Sequence, residues 1–232
     1  MNRYVTKGIV LARTEFGEAD RIITFITPDR GKIKAIAKGV RKPKSKIAGG
    51  IELFSVSDLT ILAGKGEINT LMSARLAKHY GQIVKDSLHT QTAYEAIRVI
   101  NKATEEQPEA AYFNLLRQTF ESLDDSNISA EVTAVWFGMR LLMLAGHTPD
   151  LQNDINGKKL AQARSYDFHL DAMRFLPKDS GQGSFSANDI KFLRLGERAA
   201  SAGALQKIND APALALNLQL LLQSMLKSNF RL

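Results

Sequence analysis

The sequence contains no cysteine, which excludes disulfide bonds and metal sites built from thiolates. Its four histidines are scattered, and none has a partner at the spacing of a nucleophile and its base. Neither the signature G-x-x-x-x-G-K-[ST] nor the signature G-x-G-x-x-G occurs, so nucleotide hydrolysis has no support. The chain therefore has no recognisable catalytic constellation. We interpret it as a binding protein that uses no cofactor and is not an enzyme.

Long hydrophobic runs are also missing. The N-terminal residues MNRYVTKGIV lack the apolar core of a secretion signal. The apolar segment 214–226 is interrupted by four polar residues and is shorter than the roughly 20 residues that a bilayer requires. These absences predict a soluble, cytoplasmic protein with no membrane partner.

Acidic residues are scarce in one part of the chain. Residues 1–50 contain 12 Lys and Arg against 4 Asp and Glu, whereas residues 51–232 contain 19 against 20. The stretch 31–50, GKIKAIAKGVRKPKSKIAGG, carries seven basic residues and no acid. An apolar core cannot hold so much charge of one sign, so this stretch must face solvent or a polyanion.

Two kinds of structure are expected within the basic stretch. Lysines alternate with apolar residues over 32–38, which predicts a strand with one basic face. Pro43 and three glycines prevent that strand from continuing, so 39–50 is predicted to be a mobile basic loop held at both ends by sheet. A basic strand followed by a basic loop suits the binding of a phosphate backbone. A loop whose charges only keep the protein soluble would have the same sequence features. The candidate nucleic-acid-binding residues, with two arginines from neighbouring strands, are Arg21, Arg30, Lys32, Lys34, Lys38, Arg41, Lys42, Lys44 and Lys46.

Five segments rich in β-branched residues precede residue 80. They span 4–14, 21–27, 32–38, 51–62 and 67–78, with turn sequences between them. Five strands in about 75 residues fit a small barrel of the OB type, and an SH3-like barrel fits almost as well. Phe25 and Phe54 lie in apolar strands and are predicted to be core residues. Phe16, beside a glycine turn, is the aromatic residue predicted to be exposed for base stacking.

From residue 80 onward the hydrophobic period is helical. Helices are predicted over 88–106, over 108–123 with Pro108 in the first turn, and from Ser129 to Gly146 with Trp136 in the core. Residues 148–185 are polar and show no sustained period, which predicts an irregular excursion. Ser186 with Asp189 resembles a capping box, and a last helix is predicted from residue 210.

The predicted fold class is α+β. It consists of an N-terminal five-stranded OB-type β-barrel over residues 1–79, followed by an all-helical domain over residues 80–232 that contains the irregular excursion at 148–185.

The N-terminal sequence closely resembles one known family. The segments GEAD at 17–20, TPDRG at 27–31, AKGVR at 37–41 and ELF at 52–54 resemble the start of bacterial RecO proteins, the recombination mediators of gap repair. The resemblance is strong over the first 80 residues and faint through the helices. It implies that the protein binds single- and double-stranded DNA through the basic residues and anneals complementary strands. It also implies that the protein works with the RecR ring protein and with single-stranded-DNA-binding protein to load the RecA recombinase. No covalent chemistry is implied.

The sequence departs from that family at one place. Many members carry two C-x-x-C pairs that bind zinc, and here the first pair would fall near Asn153 and Asn156. The region expected for the second pair is equally free of cysteine. The excursion at 148–185 is therefore interpreted as the remnant of a zinc knuckle that is held by packing, and no bound metal is expected.

The resemblance also implies a protein partner for the helices. The acidic, hydrophobic C-terminal tail of single-stranded-DNA-binding protein needs an apolar groove rimmed by a cation. Arg98, Arg117 and Arg140 lie on predicted amphipathic helices that could build one, although each could equally be an ordinary surface residue. Two other functions stay open, an OB-type RNA-binding factor and a protein-interaction adaptor that binds no nucleic acid.

Overall fold

The computed structural model describes residues 2–64, 66–104, 110–162, 164–178 and 182–232. The β-strands are β1 (Arg3–Phe16), β2 (Asp20–Thr27), β3 (Gly31–Ala37), β4 (Ser55–Leu62), β5 (Ile68–His79), β6 (Asp150–Asp154), β7 (Ser165–His169) and β8 (Arg174–Lys178). The α-helices are α1 (Ser87–Ala103), α2 (Ala110–Leu123), α3 (Ala130–Leu144), α4 (Ala187–Arg198), α5 (Ala202–Gln206) and α6 (Ala211–Phe230). The chain divides into two compact units, one up to Asp124 and one from Asp125. The predicted α+β class is confirmed.

The first unit is built on a closed five-stranded barrel with the strand order β1-β2-β3-β5-β4. Strand β1 pairs antiparallel with both β2 and β4, which closes the sheet. Strands β3 and β5 pair in parallel. The five predicted strands are present, but the fourth begins at Ser55 and not at residue 51, because Phe54 has a positive φ of 55° that interrupts extended structure.

Alternate residues of the strands fill the barrel. Val10, Phe25, Ala35, Leu59 and Leu71, one from each strand, belong to a single cluster of buried side chains. The cluster follows from the period of two residues along each strand, which sends every second side chain inward. Phe25 is therefore a core residue, as predicted.

Helices α1 and α2 pack against β1 and β2 within the first unit. Ile9 and Ile26, partners across these two strands, are fully buried although they lie outside the cluster within the barrel. Phe54 is also buried, and its ring lies edge-on to those of Tyr94 and Phe120. The barrel ends at His79, and this packing extends the compact unit through both helices to Asp124.

The second unit is not all-helical, and that part of the predicted fold is wrong. Strands β6, β8 and β7 form a three-stranded sheet, in that order, within the segment predicted to be irregular. Each strand has only five residues, too few for a two-residue period to stand out among polar neighbours. Phe175 of β8 and Tyr166 of β7 are buried, and their rings are 6.2 Å apart.

Helix boundaries in the second unit follow the predicted caps. Ser129 caps α3 by accepting a hydrogen bond from the backbone N–H of Val132, and Ser186 forms a reciprocal capping box with Asp189. Trp136 of α3 is buried, as predicted, and its indole N–H donates to a backbone carbonyl. In the first unit, the predicted end of α1 at 106 and start of α2 at Pro108 lie outside the described residues. Of the helices that the structure describes, none is long and apolar enough to cross a membrane.

Candidate nucleic-acid interface

The basic segment after β3, residues 38–50, is called the basic loop below. Its residues 39–50 were predicted to be a mobile loop held at both ends by sheet, but the apolar residues of the loop are themselves anchored in the barrel. Val40 belongs to the core cluster together with Ile51, and Ile47 packs against that cluster. Gly50 lies so close to the Ala74 carbonyl that a Cβ atom would overlap it. The loop therefore has an apolar side that closes the barrel and a basic side that faces solvent.

The basic loop is also hydrogen-bonded to the hairpin that joins β1 and β2. The Gly39 backbone N–H donates to the Asp20 carboxylate over 2.7 Å. The Arg41 backbone N–H donates to the Ala19 carbonyl over 3.0 Å, and its guanidinium donates to the Glu18 carbonyl. Gly39 has a φ of +64°, a left-handed conformation that glycine adopts without strain. These bonds bring the loop and the hairpin together at one end of the barrel, called the hairpin end.

Five lysines, four in the basic loop and one on β3, have available charges. Lys38, Lys42, Lys44 and Lys46 are exposed, and Lys34 is half-buried on the outer face of β3. Among the described residues, none accepts a hydrogen bond from, or forms an ion pair with, any of these ammonium groups. Exposed, unpaired lysines are the groups that can neutralise phosphates and release their counterions.

Arg21 and Arg41 are paired instead of free. Glu15 stands opposite Arg21 in the register of β1 and β2. Its Oε1 atom accepts hydrogen bonds from the Arg21 Nε and Nη2 atoms over 3.0 and 2.8 Å. Its Oε2 atom lies 2.7 Å from the Arg41 Nη1 atom. One carboxylate thus bridges two of the predicted binding residues. The sequence did not single out Glu15, since only the pairing of the strands shows what it faces.

Phe16 is exposed at the same end of the barrel. The residue is 51% exposed, and it pairs with Asp20 beside Gly17, which has a positive φ of 59°. The prediction that Phe16 is the exposed aromatic residue of the barrel strands is confirmed. An exposed ring beside unpaired cations is the usual combination of a surface that binds single strands.

Arg30 and Lys32 lie elsewhere. Arg30 is in the turn between β2 and β3, about 20 Å along the strands from the basic loop, and this is called the turn end. Its guanidinium carbon lies 4.3 Å from the centre of the Tyr4 ring. The Lys32 ammonium donates to the carbonyls of Asn101 and Thr104, over 2.9 and 2.6 Å, at the end of α1. It satisfies carbonyls that have no partner within the helix.

Two family models match the chain. The N-terminal model of recombination protein O matches residues 1–80, and the C-terminal model matches residues 96–227. This chain belongs to the recombination protein O family.

Curated relatives of the recombination protein O family carry the name DNA repair protein RecO. The one from Dehalococcoides mccartyi is 34% identical over 165 residues, which is 70% of this chain and 64% of the relative. The one from Bifidobacterium adolescentis is 32% identical over 179 residues, 74% of this chain and 71% of the relative. The chain thus spans slightly less than two thirds of the first of these relatives.

The three arginines predicted for partner binding are distributed over both units of this recombination protein O family member. Arg98 on α1 forms an ion pair with Glu95, and Arg117 on α2 forms one with Glu121. Arg140 on α3, in the second unit, donates to a backbone carbonyl of α4 over 3.1 Å. Each guanidinium has a partner in its own unit, so none is an unpaired cation like the lysines of the basic loop.

The segment 153–156, where the resemblance placed the first cysteine pair, ends in a tight turn. The buried Asp154 carboxylate accepts hydrogen bonds from the backbone N–H groups of Asn156 and Lys158, over 2.8 and 3.0 Å. Gly157 has a φ of +76° within this turn. Across the ranges that the structure describes, no group of three His, Asp or Glu side chains could hold a metal ion. Backbone hydrogen bonds to a carboxylate hold this turn together.

Proposed function

We propose that this chain is a DNA-binding recombination mediator in DNA repair that works by binding and annealing DNA, without covalent chemistry. The observation that carries the proposal is the hairpin end of the barrel. There, unpaired lysines on an anchored loop lie at the same end as an exposed phenylalanine. Membership of the recombination protein O family favours DNA repair among the functions that such a surface could serve.

The barrel topology supports an OB-type fold over an SH3-like one. The order β1-β2-β3-β5-β4, closed through β1 and β4 with a parallel β3–β5 pair, is that of a five-stranded Greek-key barrel. OB-type barrels bind oligonucleotides on the face of strands 2 and 3 and on the β1–β2 and β4–β5 loops. Lys34 on the outer face of β3 lies on that route.

In the proposed complex the DNA backbone crosses the basic loop. Six residues, Lys34, Lys38, Arg41, Lys42, Lys44 and Lys46, supply the contacts, and Arg21 assists them. Such contacts fix the position of the strand without reading its bases, so we expect little sequence preference. Phe16 adds stacking with one base, which duplex DNA does not offer.

The decisive experiment is a binding titration of the full chain against salt concentration. If about six phosphates are neutralised, the logarithm of the affinity should fall with the logarithm of salt with a slope near −4 for single strands and near −5 for duplex. If the chain binds neither single-stranded nor duplex DNA measurably at about 50 mM salt, the hypothesis of a protein-interaction adaptor is favoured instead. Competition with RNA of the same sequence distinguishes a DNA mediator from an RNA-binding factor, because the mediator should prefer DNA.

We propose further that the second unit receives the tail of single-stranded-DNA-binding protein. A groove of about 510 Å³ runs between the sheet and α6. Its apolar lining includes Phe168, Leu170, Phe185 and Leu220, and its polar lining consists of Asp167, Ser184 and Ser224. Leu220 is 76% exposed, and Lys227 lies two turns further along the same face of α6. The one carboxylate in the lining, that of Asp167, is paired with Lys178. A largely apolar groove with Lys227 beside it suits an acidic, hydrophobic tail better than three arginines that are already paired.

The groove is tested with a peptide of the tail sequence. Leu220→Ala and Lys227→Glu should each weaken binding about 5-fold or more, because an apolar anchor and a charge contact are lost. Leu195→Ala, which removes another exposed leucine on α4, is the matched control. Unchanged affinity in both groove variants would show that the groove does not bind the tail. The three arginines predicted from the sequence, Arg98, Arg117 and Arg140, would then be tested by substitution.

Three remaining parts of the proposal rest on the family alone: cooperation with RecR, loading of RecA, and action in the cytoplasm where the DNA is. A last part, the absence of stoichiometric zinc, rests on the lack of cysteine. Elemental analysis after dialysis against a chelator tests the last of these, and one zinc per chain would refute it.

A further inference from the structure

The bridge formed by Glu15 differs from the other ion pairs on the barrel. Lys7 and Asp58, on β1 and β4, form a simple pair with one contact of 2.9 Å. Glu15 instead uses both carboxylate oxygens, one for Arg21 and one for Arg41, on two different elements. Two guanidinium groups thus converge on one small anion at the edge of the proposed DNA path.

The geometry of this site matches a phosphate as well as a carboxylate. Both anions present two oxygens to guanidinium groups, which bind either one through paired N–H donors. Arg41 is further fixed by the bonds of its backbone N–H and its guanidinium to the hairpin. Arg21 is fixed by the strand on which it lies. The two donors therefore keep their places when the anion between them is exchanged.

We propose that Arg21 and Arg41 form a clamp for one backbone phosphate, and that Glu15 occupies the clamp until DNA displaces it. This inference rests on the proposed function and identifies one subsite of it. Exposed ion pairs are weak, and the Glu15 side chain is 55% exposed, so its carboxylate can leave the clamp without cost to the fold. DNA supplies phosphates that compete for the same donors.

Glu15 therefore lowers the affinity for DNA, because its carboxylate competes with a phosphate for Arg21 and Arg41. Glu15→Gln should tighten binding of an unstructured single strand about 3- to 10-fold at about 50 mM salt, since the phosphate no longer competes with a carboxylate. The salt slope should stay the same, because DNA displaces Glu15 in the unaltered chain as well and the same phosphates are neutralised in both complexes.

The matched control is Asp58→Asn. It removes one negative charge from the same barrel, breaks an ion pair of similar exposure, and lies away from the clamp. A second control places Glu15→Gln in a chain that already carries Arg21→Gln and Arg41→Gln, where the substitution should have no effect beyond that of Asp58→Asn. Thermal unfolding of each variant checks that the fold is intact.

The outcomes separate clearly. Tighter binding by Glu15→Gln at an unchanged slope, absent from both controls, supports the clamp. Equal effects of Glu15→Gln and Asp58→Asn, or weaker binding by Glu15→Gln, overturn it while the proposed function stands. If the unaltered chain binds no DNA, the proposed function fails first.

The clamp can also be observed directly by NMR in the unaltered chain. The Arg21 Nε–H resonance should shift on addition of a short oligonucleotide, and a resonance that does not move contradicts the clamp.

Discussion

Both ends of the barrel carry basic residues, but the structure uses them differently. At the hairpin end, the lysines of the basic loop are exposed and unpaired within the described part of the chain. At the turn end, Arg30 stacks on Tyr4 and Lys32 binds the carbonyls that end α1. We expect a basic residue to be available to DNA where the fold leaves its charge unpaired, or where DNA can displace an exposed partner such as Glu15.

The largest expected effect comes from reversing charge at the hairpin end. The combined variant Lys42→Glu, Lys44→Glu, Lys46→Glu should lower affinity for both single- and double-stranded DNA about 100-fold or more at about 100 mM salt and flatten the salt slope. The melting temperature should hardly change, because the substituted side chains are exposed and carry little folding energy.

The matched control for that variant is Lys191→Glu, Lys207→Glu, Lys227→Glu. It makes the same change in net charge at exposed positions of the second unit. An equal loss of DNA binding in the control would mean that overall charge, and not the hairpin end, governs affinity.

A smaller effect is expected at Phe16. Phe16→Ala should weaken binding of single strands about 5- to 10-fold, at the lower part of the range for loss of one stacked base, and leave duplex binding unchanged. Met72→Ala, which truncates a side chain of similar exposure on β5, serves as control. Equal losses for single and double strands would show that the ring does not stack on a base.

Lys32 and Lys34 test whether a partner within the fold makes a lysine unavailable to DNA. They lie two residues apart on the same face of β3, and only Lys32 binds the end of α1. Lys32→Met should lower the free energy of unfolding by about 1–3 kcal/mol, since two carbonyls at the end of α1 lose their donor, and should leave DNA binding unchanged. Lys34→Met should show the reverse pattern, with weaker binding and unchanged stability. Chemical denaturation and the binding titration together decide between the two roles.

The smallest effect is expected at the other end of α1, and it depends on pH. The Asp86 carboxylate accepts hydrogen bonds from the backbone N–H groups of His89 and Leu88, and these hold its pKa below the usual range. A lowered folded-state pKa stabilises the fold above about pH 4, and this contribution is lost as the pH falls through the pKa of the folded state. Asp86→Ala should therefore lower the melting temperature at pH 7 and have little effect near pH 2.

Asp171 provides the control for this measurement. It is an exposed carboxylate, and among the described residues none donates a hydrogen bond to it. Asp171→Ala should leave the melting temperature unchanged at both pH values. If Asp86→Ala lowers the melting temperature near pH 2 as much as at pH 7, the carboxylate charge is not what stabilises the start of α1.

Some features were predictable because they depend on neighbours along the chain. The alternation of apolar residues identified the strands of the barrel, and the pairing of Ser186 with Asp189 identified a helix start. The exposure of Phe16 followed from its position beside a glycine turn. The sheet of β6, β7 and β8 was missed because its strands are short and one of its pairings, β6 with β8, joins segments about 20 residues apart.

The sequence by itself determined that this is an α+β protein with a basic N-terminal barrel and that it resembles the recombination protein O family. Composition, period and local motifs carry that information, and all three are properties of contiguous residues. Only the tertiary structure decided which cations are available. Lys32 meets the end of α1 some 70 residues later in the chain, and Arg21 and Arg41 meet Glu15 through strand pairing and the return of the basic loop. Such partners are brought together by the closure of the barrel, and closure depends on contacts between residues far apart in the sequence.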